Sequence, residues 1–141
     1  MANLAATYRN QGRWKEAEEL EVKVMETRKG VLGRDHPDAL TSMANLASTY
    51  REQGRWKEAE ELEVKVMEMR KRILGQDHPD TLSSLANLAY TWESQGRVTE
   101  AITMLAQVMN TYASLFGNDH PNSMAWMTTL ITWKGETAGF V

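Results

Sequence analysis

The chain of 141 residues has no cysteine, so it can form neither a disulfide nor a thiolate metal site. That absence suits a reducing, cytoplasmic setting. A basic excess is also missing. Sixteen Lys and Arg stand against 19 Asp and Glu, a net charge of −3, which argues against a nucleic-acid partner. The longest uncharged stretch, 101–118, contains Gln107, Asn110, Thr111 and Asn118 and does not read as a membrane span. No signal peptide is expected, because the N-terminus is already repeat sequence. There is no phosphate-binding glycine loop, HExxH, GxSxG or CxxC. No enzyme, metal or cofactor is therefore expected.

Charge is scarce in one region only. Residues 85–141 carry just Glu93, Arg97, Glu100, Asp119, Lys134 and Glu136; the other charged residues lie in 1–84. Those first 84 residues are one 42-residue unit written twice, 1–42 and 43–84, differing at 8 positions. Residues 85–126 repeat the frame more loosely, keeping LANLA, QGR, EA and DHP. A period of this length implies stacked supersecondary units that bury a core between neighbours.

The second unit shows the plan. Leu40, Met43, Ala44, Leu46, Ala47 and Tyr50 fall at helical spacing and define an apolar face. Gly54 ends that helix. A second helix carries Trp56, Ala59, Leu62, Val66, Met69 and Ile73 inward and Lys57, Glu58, Glu61, Lys65, Glu68 and Arg72 outward. Gly75 stops it, and Asp77-His78-Pro79-Asp80 opens the next, with aspartate as the expected cap. Each unit is a hairpin of an A and a B helix joined by short loops. Helices are expected at about 1–11, 13–32, 37–53, 55–74, 79–95, 97–116 and 121–134, with a tail at 135–141. The fold class is all-α, a right-handed α-solenoid of helix-turn-helix repeats with seven helices, forming one array over 1–134.

Two charges fall inside the apolar arc of each early B helix: Glu21 and Arg28, then Glu63 and Arg70. Leu105 and Tyr112 replace them in the third. They are read either as ion pairs that fix stacking register or as side chains that reach out of a shallow groove.

The recurring N-L-A-x-x-Y and Q-G-R-W-x-E-A, with the L-G-x-D-H-P-D junction, resemble the tetratricopeptide repeat in a 42-residue variant. The variant is similar to kinesin light chain repeats and to the C-terminal arrays of fungal NB-ARC (NOD-like) proteins. The resemblance implies a concave groove lined by A helices that holds a protein or peptide ligand. Its expected lining is Asn3, Arg9, Thr41, Asn45, Ser48, Arg51, Ser83, Asn87 and Tyr90. Asn3, Asn45 and Asn87 share one helix-A position, and an amide supplies both donors and an acceptor for an extended backbone. Thr41, Ala44, Ser83 and Ala86 stand where a chaperone-carboxylate clamp would need lysines. The resemblance further implies the sensing end of a larger signalling protein. The alternative is a structural module that acts through its end faces.

His36, His78 and His120 all sit in D-H-P junctions and are read as helix-start residues rather than ligands. Thr128, Thr129 and Thr132 break the asparagine pattern in the last helix, so the groove is expected to end before it. In that helix Met124, Met127, Leu130 and Ile131 are expected to pack inward. Trp126 and Trp133, seven apart, would then face out, covered by Phe140 and Val141 or by a second chain. A self-association patch at Trp126, Leu130 and Trp133 is the resulting expectation.

Overall fold

The computed structural model describes residues 14–33 and 36–137. Among these are six α-helices and no strand: α1 (Trp14–Leu32), α2 (Pro37–Glu52), α3 (Trp56–Leu74), α4 (Pro79–Ser94), α5 (Val98–Phe116) and α6 (Pro121–Thr137). The helix expected at about 1–11, the seventh of the sequence count, lies outside the described residues, as do Asn3, Arg9, Phe140 and Val141. The last helix runs past its expected end at 134 to Thr137. The chain divides into two compact units, Met1–Met69 and Arg70–Val141, with the boundary inside α3.

The A-to-B turn explains Q-G-R. Gly54 adopts φ 77°, a left-handed conformation that favours glycine. The Gly54 amide donates to the Arg51 carbonyl and the Arg55 amide to the Tyr50 carbonyl, closing a Schellman motif. Arg55 then lies 4.2 Å over the Tyr50 ring and donates to Glu58, in the first turn of α3, at 2.9 and 2.5 Å. Gly96, Arg97, Trp92 and Glu100 repeat the arrangement at the next turn, with Arg97 4.8 Å over the Trp92 ring.

The B-to-A junction differs from expectation in one atom set. The cap is the histidine, not the preceding aspartate. His36 Nδ1 accepts from the Asp38 amide at 3.1 Å, His78 Nδ1 from Asp80 at 3.1 Å, and His120 Nδ1 from Asn122 at 3.2 Å. The proline that follows each histidine has no N–H to satisfy, so it costs nothing in a first turn.

In unit 1, α1 packs on α2, and Leu40, Met43 and Val66 form a core with Met25, Leu62 and Met69 against it. Trp56 and Ile73, assigned inward by periodicity, are exposed at the two ends of α3, where the apolar stripe outruns its neighbours. Lys57, Glu58, Glu61, Lys65, Glu68 and Arg72 are all exposed, as an outer charged face requires. In unit 2, α5 packs on both α4 and α6 around Leu82, Ala89, Ala101, Leu105, Tyr112 and Trp126.

The A-type helices α2, α4 and α6 use three faces with a period of 42. Residues 39, 42, 46 and 49 of α2 are buried, as are 81, 84, 88 and 91 of α4 and 123, 126, 130 and 133 of α6. Within unit 1 this first face of α2 meets α1, and within unit 2 that of α6 meets α5. Arg28 of α1 donates to Ser42 Oγ at 2.7 Å and to the Asp38 carbonyl at 3.2 Å, and Thr49 donates to Glu21. A second face, 40, 43 and 47 or 82 and 89, is buried too and meets the following B helix. The third face is the polar one.

Trp126 and Trp133 lie buried on the first face of α6, so Leu130 packs inward as expected while the tryptophans exchange places with Met124, Met127 and Ile131. Trp126, Leu130 and Trp133 are 7, 4 and 6 % exposed, whereas Met124, Met127 and Ile131 are 57, 42 and 67 % exposed. The physical reason is in α5. Where α1 carries Glu21 and Arg28, α5 carries Leu105 and Tyr112, and the tryptophans fill the place of the small Thr49 and Ser42. Tyr112 meets Trp126 edge-on at 5.1 Å between centroids. Its hydroxyl lies 3.3 Å from His120 Nε2 and accepts from Asn122 Nδ2 at 3.1 Å.

Candidate functional site

The third face of the A-type helices carries the expected groove residues. In unit 1, Thr41 is exposed, and Asn45, Ser48 and Arg51 are half-buried along α2. The spacing 41, 45, 48 places them in one row on a helix of 3.6 residues per turn. In unit 2, Ser83, Asn87 and Tyr90 form the matching half-buried row on α4. Asn45 and Asn87 each bring a side-chain amide with two donors and an acceptor to this face.

Arg51 is not simply a cation offered to solvent. Its Nη1 lies 3.5 Å from Glu63 Oε2, and Glu63 is only 6 % exposed. The buried carboxylate thus has a positive neighbour from α2. Seven residues separate Glu63 from Arg70, roughly 10 Å along a helix, too far for a contact within α3. Arg70 instead donates to Ser84 Oγ at 2.7 Å, and Ser84 donates to the Asp80 carbonyl at 3.0 Å. Burial pushes the Arg70 guanidinium below its ordinary pKa, opposed by the nearby Asp80 carboxylate. The register reading of these charges therefore takes a different form: each arginine latches a B helix to the A helix that follows.

Tyr90 is held in place rather than projecting freely. Its ring meets Trp133 edge-on at 5.5 Å, and its hydroxyl lies 3.5 Å from Thr129 Oγ1. The polar face of unit 2 thus continues from Asn87 and Tyr90 onto α6 through Thr129. Thr129 stands 42 residues after Asn87 and lies outside the expected lining, which ends before α6. A group of three acidic, cysteine or histidine side chains spaced to hold a metal is absent among the described residues. No described helix is long and apolar enough to cross a membrane.

Family models for the tetratricopeptide repeat match residues 1–72 and 81–122. No curated protein matches. Among solved structures, the chain is similar to the kinesin light chain nearly identical TPR-like repeats of Podosopora anserina. It is 31 % identical with a TM-score of 0.87, over 97 % of this chain and 65 % of that one. A single-substitution form of those repeats gives 32 % identity and a TM-score of 0.85, over 94 % of this chain and 62 % of that one. BtubC (BKLC) from P. vanneervenii, at 18 % identity and a TM-score of 0.69 over 98 % of this chain and 63 % of its own, shares the fold. The chain spans less than two thirds of each of these structures.

Proposed function

Because the chain belongs to the tetratricopeptide repeat family, we propose that it is a stretch of right-handed solenoid that holds an extended segment of another protein along its A-type helices. Tetratricopeptide repeats generally mediate protein–protein interaction, and scaffold families of this kind are typically non-enzymatic. The observation that carries the reading is the repeated half-buried polar row, Asn45 and Ser48 on α2, Asn87 and Tyr90 on α4. An amide can pair with both a carbonyl and an N–H of an extended chain, and a tyrosine clamped edge-on to Trp133 offers a contact of low entropy cost. The setting proposed is cytoplasmic, at the ligand-sensing end of a larger signalling protein, which fits solved relatives that are longer than this chain.

The test is panning of a random peptide library against the intact chain, followed by titration of the selected peptides. Asn45→Ala with Asn87→Ala, and separately Tyr90→Ala, should each weaken binding by about tenfold or more, as expected for hot-spot truncation. Retained helicity by circular dichroism controls for folding. Selected peptides that bind all three proteins equally would remove the groove from the account.

A further inference from the structure

Among the described residues the second face of α6 is exposed, and its chemistry points to a specific occupant. Met124, Met127 and Ile131 stand where Leu40, Met43 and Ala47 stand in α2, and where Leu82, Leu85 and Ala89 stand in α4. In α2 and α4 this face lies under a following B helix and is buried or half-buried. In α6 it is exposed, with Ile131 at 67 %. The Q-G-R signature of the earlier A-to-B turns also changes at the equivalent positions after α6. Gln53-Gly54-Arg55 and Gln95-Gly96-Arg97 become Thr137-Ala138-Gly139, which puts alanine at the glycine position and removes the arginine.

We propose that this face pairs with the same face of a second copy of the chain, α6 against α6, about a two-fold axis near Met127. Three features favour that occupant. First, residues 121–133 carry no charge, so the face offers nothing to a charged partner and meets itself without repulsion. The outer faces of α1 and α3 are charged and make poor mates for it. Second, the threonine beside this face hides its hydroxyl: Thr128, next to Met124 and Ile131 on the helix, donates to the Met124 carbonyl at 3.1 Å, which leaves the surface more apolar than its composition. Third, the pairing is antiparallel. That keeps the exposed Lys134 of each copy at opposite ends and opposes the two helix dipoles. A self-complementary patch related by a two-fold closes as a dimer. One helix face per chain is a small interface, so a dimer of roughly micromolar affinity is expected. This surface is separate from the peptide-binding row and stands whether or not that row binds peptides.

Sedimentation or light scattering of the full chain, from about 1 µM to about 1 mM, tests the proposal across the expected affinity range. The wild type should rise with concentration from 16.0 kDa to twice that mass and stop. Ile131→Glu should stay monomeric with an unchanged urea midpoint, since the side chain is exposed, while Leu115→Glu on α5 should dimerise like wild type. With no native cysteine, Met127→Cys should form a disulfide-linked dimer under oxidation, and Glu61→Cys should not. A wild type that is monomeric throughout would overturn the proposal, leaving the face to another partner. So would a dimer that survives Ile131→Glu, or assembly that grows past two copies.

Discussion

At position 126 a tryptophan stands where 42 and 84 are serine, and the residue facing it changes at the same time: Arg28 and Arg70 give way to Tyr112. The pair at Glu21 and Thr49 changes in step to Leu105 and Trp133. Two polar locks between a B helix and the next A helix have become apolar ones. Trp126→Ser should cost about 3–5 kcal/mol in urea unfolding, as a large truncation in a packed core. Tyr112→Arg with Trp126→Ser should cost less than the two single changes together, by about 1 kcal/mol or more, because the arginine–serine contact is restored. A strictly additive result would mean the pairs are independent. A second residue-scale test concerns Thr81, whose buried hydroxyl has no hydrogen-bond partner among the described residues. Thr81→Val should raise stability by about 1 kcal/mol, because it keeps the shape and removes an unsatisfied group. Both halves of each lock were visible in the sequence as departures from the repeat. They were not joined, because periodicity shows which residues share a face and not which neighbour that face meets.

At the scale of elements, the bounds of α1 to α5 were legible to within a residue, while α6 runs three residues past its expected end at 134. Glycine and D-H-P punctuate every junction, and these signals act locally through backbone conformation. The capping atom was not legible: aspartate is the commoner cap, and only the backbone geometry brings histidine Nδ1 to the amide two residues on. His78→Ala should therefore cost about 1 kcal/mol in urea unfolding, while Asp77→Ala should cost little. Gly96→Ala should cost about 1 kcal/mol or more, since φ of 85° strains any residue with a Cβ. An unchanged midpoint for Gly96→Ala would contradict the Schellman turn. α6 was located correctly, but its tryptophans were turned the wrong way. Its apolar residues cover most of its circumference, so no stripe declares itself, and the decision rested on what α5 offers.

At the scale of the whole molecule, α2 and α4 each assign two faces to packing and one to the outside, while α6 packs through its first face. The outward rows carry the candidate binding residues, and repetition copies them at a fixed spacing along the sequence. That much follows from a 42-residue period and helical geometry. The continuation of the unit 2 row through Thr129 did not, because threonine breaks the asparagine pattern and only the contact with Tyr90 restores it. The most direct measurement is a nitrogen-15 NMR titration of the intact chain with a peptide selected from the random library. Saturable shifts should appear in the Asn45 and Asn87 side-chain amides and in the α2 and α4 backbone near them. Shifts confined to the outer faces of α3 and α5, with both asparagine side chains unmoved, would contradict the assignment of the A-helix row as the binding surface.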